Sequence, residues 1–259
     1  MKRISLTTDE SEILESALIQ HGNVVAFDQL SNFIDEDRRY TRIRINKLVK
    51  QGWLKRVKKG VFVISDLSSR GSLSISHKAI VNLLVQEAYI TFETALQHHG
   101  LYDQLLASIN SVSLKQYKST TIDNIIFNFI KTQQRYFYGW EIEDIDGQSV
   151  KIAHIEKALV DLLQFHRSRY STDLVLEKLS EFKSDISHRR LTEYALKANL
   201  TSRRILGFLM DYVEMENKEI LTSVNNRSSV SFISNTEDSK YNHKWQLYYD
   251  RYFERYLNE

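Results

Sequence analysis

Residues 37–65 read DRRYTRIRINKLVKQGWLKRVKKGVFVIS, and this stretch decides how the amino-terminal part of the chain folds. A helix is predicted from Asp37 to Gln51, because Asp37 suits an amino-terminal cap and apolar residues recur at helical spacing until Gly52. Two runs of β-forming residues follow, and the turn between them contains Gly60, which adopts the left-handed backbone of a tight turn without strain. The stretch therefore predicts a helix followed by a β-hairpin.

Two shorter helical patterns precede this stretch. The first begins near Thr8 behind a threonine cap and ends at Gly22, and the second runs from Phe27 to Phe33. Three helices followed by a hairpin are typical of a winged helix-turn-helix, a fold that places one helix in the major groove of duplex DNA. We therefore predict a winged helix-turn-helix DNA-binding domain over residues 1–66.

Positive charge is concentrated in the same stretch. Residues 38–59 contain ten Lys or Arg and no Asp or Glu, whereas the whole chain has 35 basic and 33 acidic residues. The rest of the chain therefore holds 25 bases against 33 acids, a net charge of −8. Surface helices usually intersperse Lys and Arg with acids, so this segregation favours a nucleic-acid interface over the alternative, an ordinary solvated helix and hairpin. Duplex DNA is favoured over RNA because the predicted shape is not an aromatic sheet that stacks bases.

The helix predicted from Asp37 has one polar face. With Ile45 at the centre of its buried side, the opposite side carries Arg39, Tyr40, Ile43, Asn46, Lys47 and Lys50. Arg suits guanine, Asn suits adenine and an apolar group suits a thymine methyl, so the candidates for reading bases are Arg39, Asn46 and Ile43. The candidates for phosphate contacts are Arg38, Arg42 and Arg44 on the helix, with Lys58 and Lys59 at the hairpin tip.

The rest of the chain is predicted to form a second, larger domain. A Ser- and Gly-rich segment at residues 67–72 is predicted to be a linker, which leaves residues 73–259 for the larger domain. Its β-forming runs predict a small, mostly antiparallel sheet, and the helical pattern after His154 predicts a carboxy-terminal helical bundle. The predicted fold class is therefore α+β, with the winged helix-turn-helix at the amino terminus.

The composition and motifs exclude several classes of function. The chain contains no cysteine, which excludes disulfides, thiolate zinc sites and cysteine nucleophiles. Asp144 and Asp146 resemble a magnesium-binding carboxylate pair, but Asp146-Gly147 is also a strong hairpin turn, which is the preferred interpretation. His98 and His99 are interpreted as a helix end rather than a metal site. We therefore expect no enzymatic activity, no cofactor and no metal.

The location of the protein is predicted from two absences in the sequence. No apolar run approaches the ~20 residues that span a bilayer, so contact with a membrane is not expected. The amino-terminal residues lack the apolar core and cleavage site of a secretory signal. A cytoplasmic protein is therefore expected.

A charged stripe lies on the helix predicted to begin at Ile155. It consists of Glu156, Lys157 and Asp161. Charges at this spacing are most often a solvated face, and the alternative is that they contact a partner. Either interpretation places these side chains at the surface of the larger domain.

Four stretches of the chain resemble one protein family. They are LVKQGWLKRVKKGVFV at residues 48–63, ALQHHGLY at 95–102, VKIAHIEKALVD at 150–161 and NHKWQL at 242–247. In this order and spacing they cover most of the chain, and they resemble the AbiEi family of antitoxins.

The resemblance implies an antitoxin from a two-gene abortive-infection module against phage. Such a protein represses its own promoter through the winged helix and counteracts a co-encoded AbiEii-type nucleotidyltransferase toxin, without a stable complex between the two. Antitoxicity belongs to the carboxy-terminal domain, and its candidate surface here is the stripe of Glu156, Lys157 and Asp161. The residues alone leave two other functions open: a stand-alone repressor that responds to a ligand, and a DNA-processing enzyme guided by the winged helix.

Overall fold

Helices and strands are interspersed along the chain, which gives the protein an α+β fold. The computed structural model describes residues 6–66, 72–225, 229–234 and 238–257. Most of the predicted linker, residues 67–71, lies outside the described residues. On either side of it the backbone N–H of Asp66 donates to the carbonyl of Ser72 over 3.1 Å, so the two ends of this segment lie close together.

Residues 6–66 form three helices and a three-stranded sheet. The helices are α1 (Thr8–His21), α2 (Phe27–Ser31) and α3 (Arg38–Gln51), and the strands are β1 (Val24–Ala26), β2 (Leu54–Lys58) and β3 (Val61–Ile64). The strands pair antiparallel in the order β1-β3-β2. The predicted helices and hairpin are therefore present, and β1 adds a third strand to the hairpin.

Each face of the β2–β3 hairpin contributes side chains to a hydrophobic core, because side chains alternate between the two faces of a strand. Leu54 and Phe62 pack into the core that α1, α2 and α3 surround. Val57 and Val63 point the other way and belong to the core of the larger unit. The amino-terminal unit is therefore packed against the larger unit rather than joined to it by the chain alone.

The larger unit, within residues 72–225, is built on a six-stranded mixed sheet. Its strands are β4 (Tyr89–Ile90), β5 (Ser108–Ser113), β6 (Thr120–Ile122), β7 (Ile125–Lys131), β8 (Trp140–Ile145) and β9 (Gln148–Ala153), and two helices, α4 (His77–Leu84) and α5 (Phe92–His98), are interspersed with them. The strand order is β6-β7-β5-β4-β9-β8, and the pairs β5–β7 and β4–β9 are parallel. The other three pairs are antiparallel, so the sheet is mostly antiparallel, as predicted, with two parallel pairs that make it mixed. The sequence does not predict the parallel β4–β9 pair, because β4, which joins the two halves of the sheet, is only two residues long and has no visible alternation.

Residues 155–224, all of them described, form five helices where the sequence predicts a bundle. They are α6 (Ile155–Phe165), α7 (Arg169–Glu181), α8 (His188–Lys197), α9 (Leu200–Tyr212) and α10 (Lys218–Val224). α6 lies at their centre and contacts α5, α7, α8 and α9. Within the part of the chain that the structure describes, no helix combines the length and apolarity needed to cross a membrane.

A second three-stranded sheet follows the helices and was not expected from the sequence. Its strands are β10 (Ser231–Phe232), β11 (Ser239–Asn242) and β12 (Leu247–Asp250), in the order β10-β12-β11. Trp245 is fully buried and packs on α9 at Gly207, where an added Cβ would lie 2.1 Å from the indole ring. The aromatic carboxy-terminal segment is therefore part of the core of the larger unit.

The charged stripe on α6 is buried, so the prediction that it forms a surface is wrong. Glu156, Lys157 and Asp161 are 0%, 1% and 0% exposed. Lys157 forms an ion pair with Asp161 and donates to the hydroxyl of Tyr89 over 3.0 Å, and Tyr89 donates to Asp161 over 2.9 Å. Thr91 donates a further hydrogen bond to Asp161 over 2.8 Å. Burial raises the pKa of the Asp161 carboxyl and lowers that of the Lys157 amine.

The position of α6 explains this error. A Lys and an Asp four residues apart give the same sequence pattern on a solvated helix and on a central one. Because helices pack around α6, its charged groups take partners inside the protein. Glu156 likewise accepts from the backbone N–H of Ser187 over 2.7 Å and lies 3.3 Å from Nε of Arg190. The stripe therefore joins α6 to Tyr89, to Thr91 and to the start of α8, and it is not available to a partner.

Lys157→Ala is expected to lower the free energy of unfolding by about 3–5 kcal/mol, because it leaves the Asp161 carboxylate buried without its cation. The matched control is Lys197→Ala, which removes an ion pair of the same spacing with Glu193 on the exposed side of α8. That change is expected to cost less than about 1 kcal/mol. Urea denaturation followed by tryptophan fluorescence measures both. Equal, small losses from the two substitutions would show that the α6 stripe is solvated after all.

Candidate nucleic-acid interface

Local chemistry fixes both ends of α3. Asp37 Oδ1 accepts hydrogen bonds from the backbone N–H groups of Arg39 over 2.7 Å and of Tyr40 over 2.9 Å, which caps the amino terminus. Gly52 ends the helix with a φ of +85°, a left-handed conformation that suits glycine. The side chains that anchor α3 in the core are Thr41, Ile45 and Leu48. These contacts set the direction of every other side chain on the helix.

The outer side of α3 is exposed and cationic, as the sequence predicts. Arg39, Ile43 and Lys50 lie opposite the buried side chains, with Tyr40 and Lys47 next to them on the side of α1. Ile43 and Tyr40 are 55% and 58% exposed. An apolar group exposed among cations suits a thymine methyl in the major groove, where Arg and Lys suit guanine.

Ion pairs hold the side of α3 that faces α1. Arg44 binds Asp9, and Lys47 Nζ lies 2.8 Å from Glu10 Oε1. Burial alone would raise the pKa of Glu10, but hydrogen bonds from Lys47 and Thr7 hold it below its ordinary value. Arg44, predicted to contact phosphate, is therefore engaged in the packing of α1 on α3. About half of the Lys47 side chain is exposed, so it is more accessible than the side chain of Arg44.

A groove of about 820 Å³ lies between α3 and the hairpin. The polar side chains that line it are Arg38, Arg42, Asn46, Arg56 and Lys59, besides Asp28 at one end. Arg56 Nη2 donates to Asn46 Oδ1 over 2.7 Å, and its guanidinium lies 5.4 Å from the centre of the Phe62 ring. Arg56 is not among the residues predicted to contact DNA. Alternation along β2 could have identified it, because this places Arg56 on the same face as Leu54, toward α3.

Six cations of this stretch have no carboxylate within ion-pairing distance among the described residues. They are Arg39, Arg42, Lys50, Arg56, Lys58 and Lys59, and together they are called the basic face below. Arg38 lies 3.9 Å from Asp28, but both side chains are largely exposed. Lys55 points to the other side of the hairpin and pairs with Asp123 of the larger unit over 3.0 Å. The basic face is therefore the part of the stretch whose charge is free to meet an anion.

The other candidate sites in the sequence have structural roles. Asp146 and Gly147 form the predicted two-residue turn between β8 and β9, with φ of +53° and +72°. Asp144 accepts from the backbone of that turn, and Asp146 accepts from the backbone N–H of Ser76 over 2.6 Å. His98 bonds to Glu143 and His99 to a backbone carbonyl, each over 2.8 Å. No group of three metal-ligating side chains occurs within residues 6–66, 72–225, 229–234 and 238–257.

Comparison with known proteins identifies a similar fold but no family. No family model matches the chain, and no curated protein matches it. A crystal structure of the RV2827C protein from Mycobacterium tuberculosis is similar, with a TM-score of 0.68 over 98% of this chain and 96% of that chain. The two sequences are 14% identical, so the likeness shows a shared fold alone.

Asp37→Ala is expected to lower the free energy of unfolding by about 1 kcal/mol, because two backbone N–H groups of α3 lose their cap. Asp37→Asn keeps an acceptor oxygen and is expected to retain most of that stability. The control is Asp35→Ala, an exposed acid outside the helix, with an expected change below about 0.5 kcal/mol. Thermal and urea denaturation report all three. A loss from Asp37→Asn as large as that from Asp37→Ala would argue against capping as the cause.

Proposed function

We propose that the chain is a transcriptional repressor that binds duplex DNA, with residues 1–66 as a winged helix-turn-helix. The observation that carries this proposal is the basic face, six cations of α3 and the hairpin that lack a carboxylate partner among the described residues. α3 has 14 residues, which is about 21 Å of helix, and its outer side is exposed. A helix of this kind beside a cationic hairpin suits the major groove and the adjoining phosphates.

The geometry supports a division of labour within this surface. Arg39 and Ile43 point away from the core at the amino-terminal half of α3, the half from which helix-turn-helix proteins usually reach base edges. Lys58 and Lys59 are exposed at the hairpin turn, where long flexible cations suit phosphates or the minor groove. We assign base reading to the helix and backbone contacts to the hairpin tip.

The resemblance to AbiEi antitoxins supports the finer part of the proposal. The protein would then be a cytoplasmic autorepressor that also counteracts a co-encoded nucleotidyltransferase toxin through its larger unit. Two of the resembling stretches, 150–161 and 242–247, form β9 with α6 and the turn that buries Trp245. These stretches therefore concern the core of the larger unit, and the antitoxic surface is to be sought on other, exposed side chains.

The double substitution Lys58→Ala with Lys59→Ala is expected to weaken binding to the protein's own promoter and to a random duplex alike, because phosphate contacts carry no sequence information. Each lost phosphate contact lowers the slope of log affinity against log salt by about 0.9, so a decrease of about 2 is expected. Fluorescence anisotropy with labelled duplexes at several salt concentrations measures both quantities.

Two comparisons control this experiment. Lys115→Ala removes a cation from the surface of the larger unit, where it pairs with Glu87, and is expected to leave the slope unchanged. Arg39→Ala is expected to reduce the preference for the promoter over the random duplex, since a base contact contributes about 1–3 kcal/mol. An unchanged slope in the double variant would remove the hairpin tip from the interface.

Repression and antitoxicity are expected to separate in the full-length chain. Arg39→Glu combined with Lys58→Glu and Lys59→Glu should abolish repression of a reporter behind the protein's own promoter, because the basic face then repels phosphate. The same variant should still protect cells that express the cognate toxin. Substitution is preferable to deletion of residues 1–66, because Val57 and Val63 belong to the core of the larger unit.

The matched control for this experiment is Lys115→Glu, with the level of each protein measured by immunoblot. It should retain both repression and protection. Loss of protection by the basic-face variant at an equal protein level would contradict the assignment of antitoxicity to the larger unit. Full repression by that variant would contradict the proposed DNA interface.

A further inference from the structure

The amide of Asn46 and the guanidinium of Arg56 form one hydrogen-bonded unit in the groove between α3 and the hairpin. Arg56 Nη2 donates to Asn46 Oδ1 over 2.7 Å, so the amide oxygen already has a donor. The guanidinium is positioned 5.4 Å from the ring centre of Phe62, which is itself buried. Arg56 is exposed and Asn46 half-buried, and both line the groove. The unit is therefore held in place by Phe62 and by its own hydrogen bond, and it is accessible from the groove.

This bond changes what Asn46 can recognise. A free Asn side chain reads adenine by accepting from N6 and donating to N7. Arg56 occupies one of the two lone pairs of Oδ1. The unit keeps the hydrogens of Asn46 Nδ2 and the other N–H groups of Arg56, so its donors outnumber its one remaining acceptor site. The unit therefore offers donors to the groove. Guanine presents two acceptors in the major groove, O6 and N7, whereas adenine presents one acceptor and one donor.

We propose that Arg56 and Asn46 act together as a specificity-determining unit that reads guanine, in place of the adenine expected for Asn46 alone. This inference rests on the proposed binding of duplex DNA and assigns a base preference to one side of that interface. In it, Arg56, contributed by β2, and the Nδ2 group of Asn46 both donate to guanine, and Asn46 Oδ1 orients the guanidinium. A contact from Arg56 to phosphate is the competing role, and it predicts no base preference.

The experiment is selection of duplexes from a randomised pool by the full-length protein, followed by sequencing, for the wild type and two variants. Arg56→Lys keeps the charge but loses the planar fork, and Asn46→Asp keeps the oxygen but loses the Nδ2 donors. Lys58→Ala serves as the control for simple loss of a cation. Circular dichroism melts establish that each variant is folded.

We expect the wild type to select guanine at one base pair whose preference drops about tenfold or more in both Arg56→Lys and Asn46→Asp, with the other selected positions unchanged. Replacing that guanine by 7-deazaguanine, which lacks the N7 acceptor, should weaken the wild type by a similar factor and Arg56→Lys by much less. Lys58→Ala should weaken all duplexes equally and shift no preference.

Three results would overturn the inference. Selection of adenine at the position lost in Asn46→Asp, unaffected by Arg56→Lys, would mean that Asn46 reads alone. Uniform weakening of all duplexes by Arg56→Lys with an unchanged selected sequence would make Arg56 a phosphate contact, and either result would leave the proposed repressor function standing. A wild-type protein that selects no sequence at all would overturn both the inference and the proposed function.

Discussion

The β2–β3 hairpin belongs to two cores at once, and the arrangement of the whole molecule depends on this constraint. Leu54 and Phe62 on one face close the core of the three amino-terminal helices, while Val57 and Val63 on the other face enter the core of the larger unit. A slip of one residue in either strand would exchange the two faces, so the packing on both sides fixes the register. The hairpin thereby holds α3 in a defined orientation relative to the larger unit.

The same alternation distributes the positive charge. Lys55 shares the face of Val57 and pairs with Asp123 of the larger unit, whereas Arg56 is directed toward α3 and bonds to Asn46. Asp9 and Glu10 of α1 bind the side of α3 that packs on it. Asp28 of α2 lies near Arg38, and Glu36 lies near Arg44. What remains without a carboxylate among the described residues is one side of α3 and the hairpin turn. The basic face is therefore a product of packing as well as of composition.

Features set by neighbouring residues could be predicted from the sequence. The cap at Asp37, the stop at Gly52 and the turn at Asp146-Gly147 each depend on a few adjacent residues, and all three are in the structure. Features set by distant parts of the chain could not. The burial of Lys157 depends on Tyr89 and Tyr138, which lie against its amine from elsewhere in the sequence. β4 becomes a central strand only because β5 and β9 flank it. Arg56 could be predicted only in part. Alternation along β2 gives the direction of its side chain, but its partner, Asn46, lies on α3.

Hydrogen exchange of the full-length protein, measured by mass spectrometry with and without a duplex of its own promoter, tests the DNA interface most directly. We expect the duplex to slow exchange in peptides that cover α3 and the β2–β3 hairpin, residues 38–61, where the basic face lies. Peptides from α6 to α9 are expected to exchange at the same rate in both samples. Slower exchange confined to the larger unit, or no change anywhere at duplex concentrations well above the protein, would contradict the proposal that this surface binds DNA.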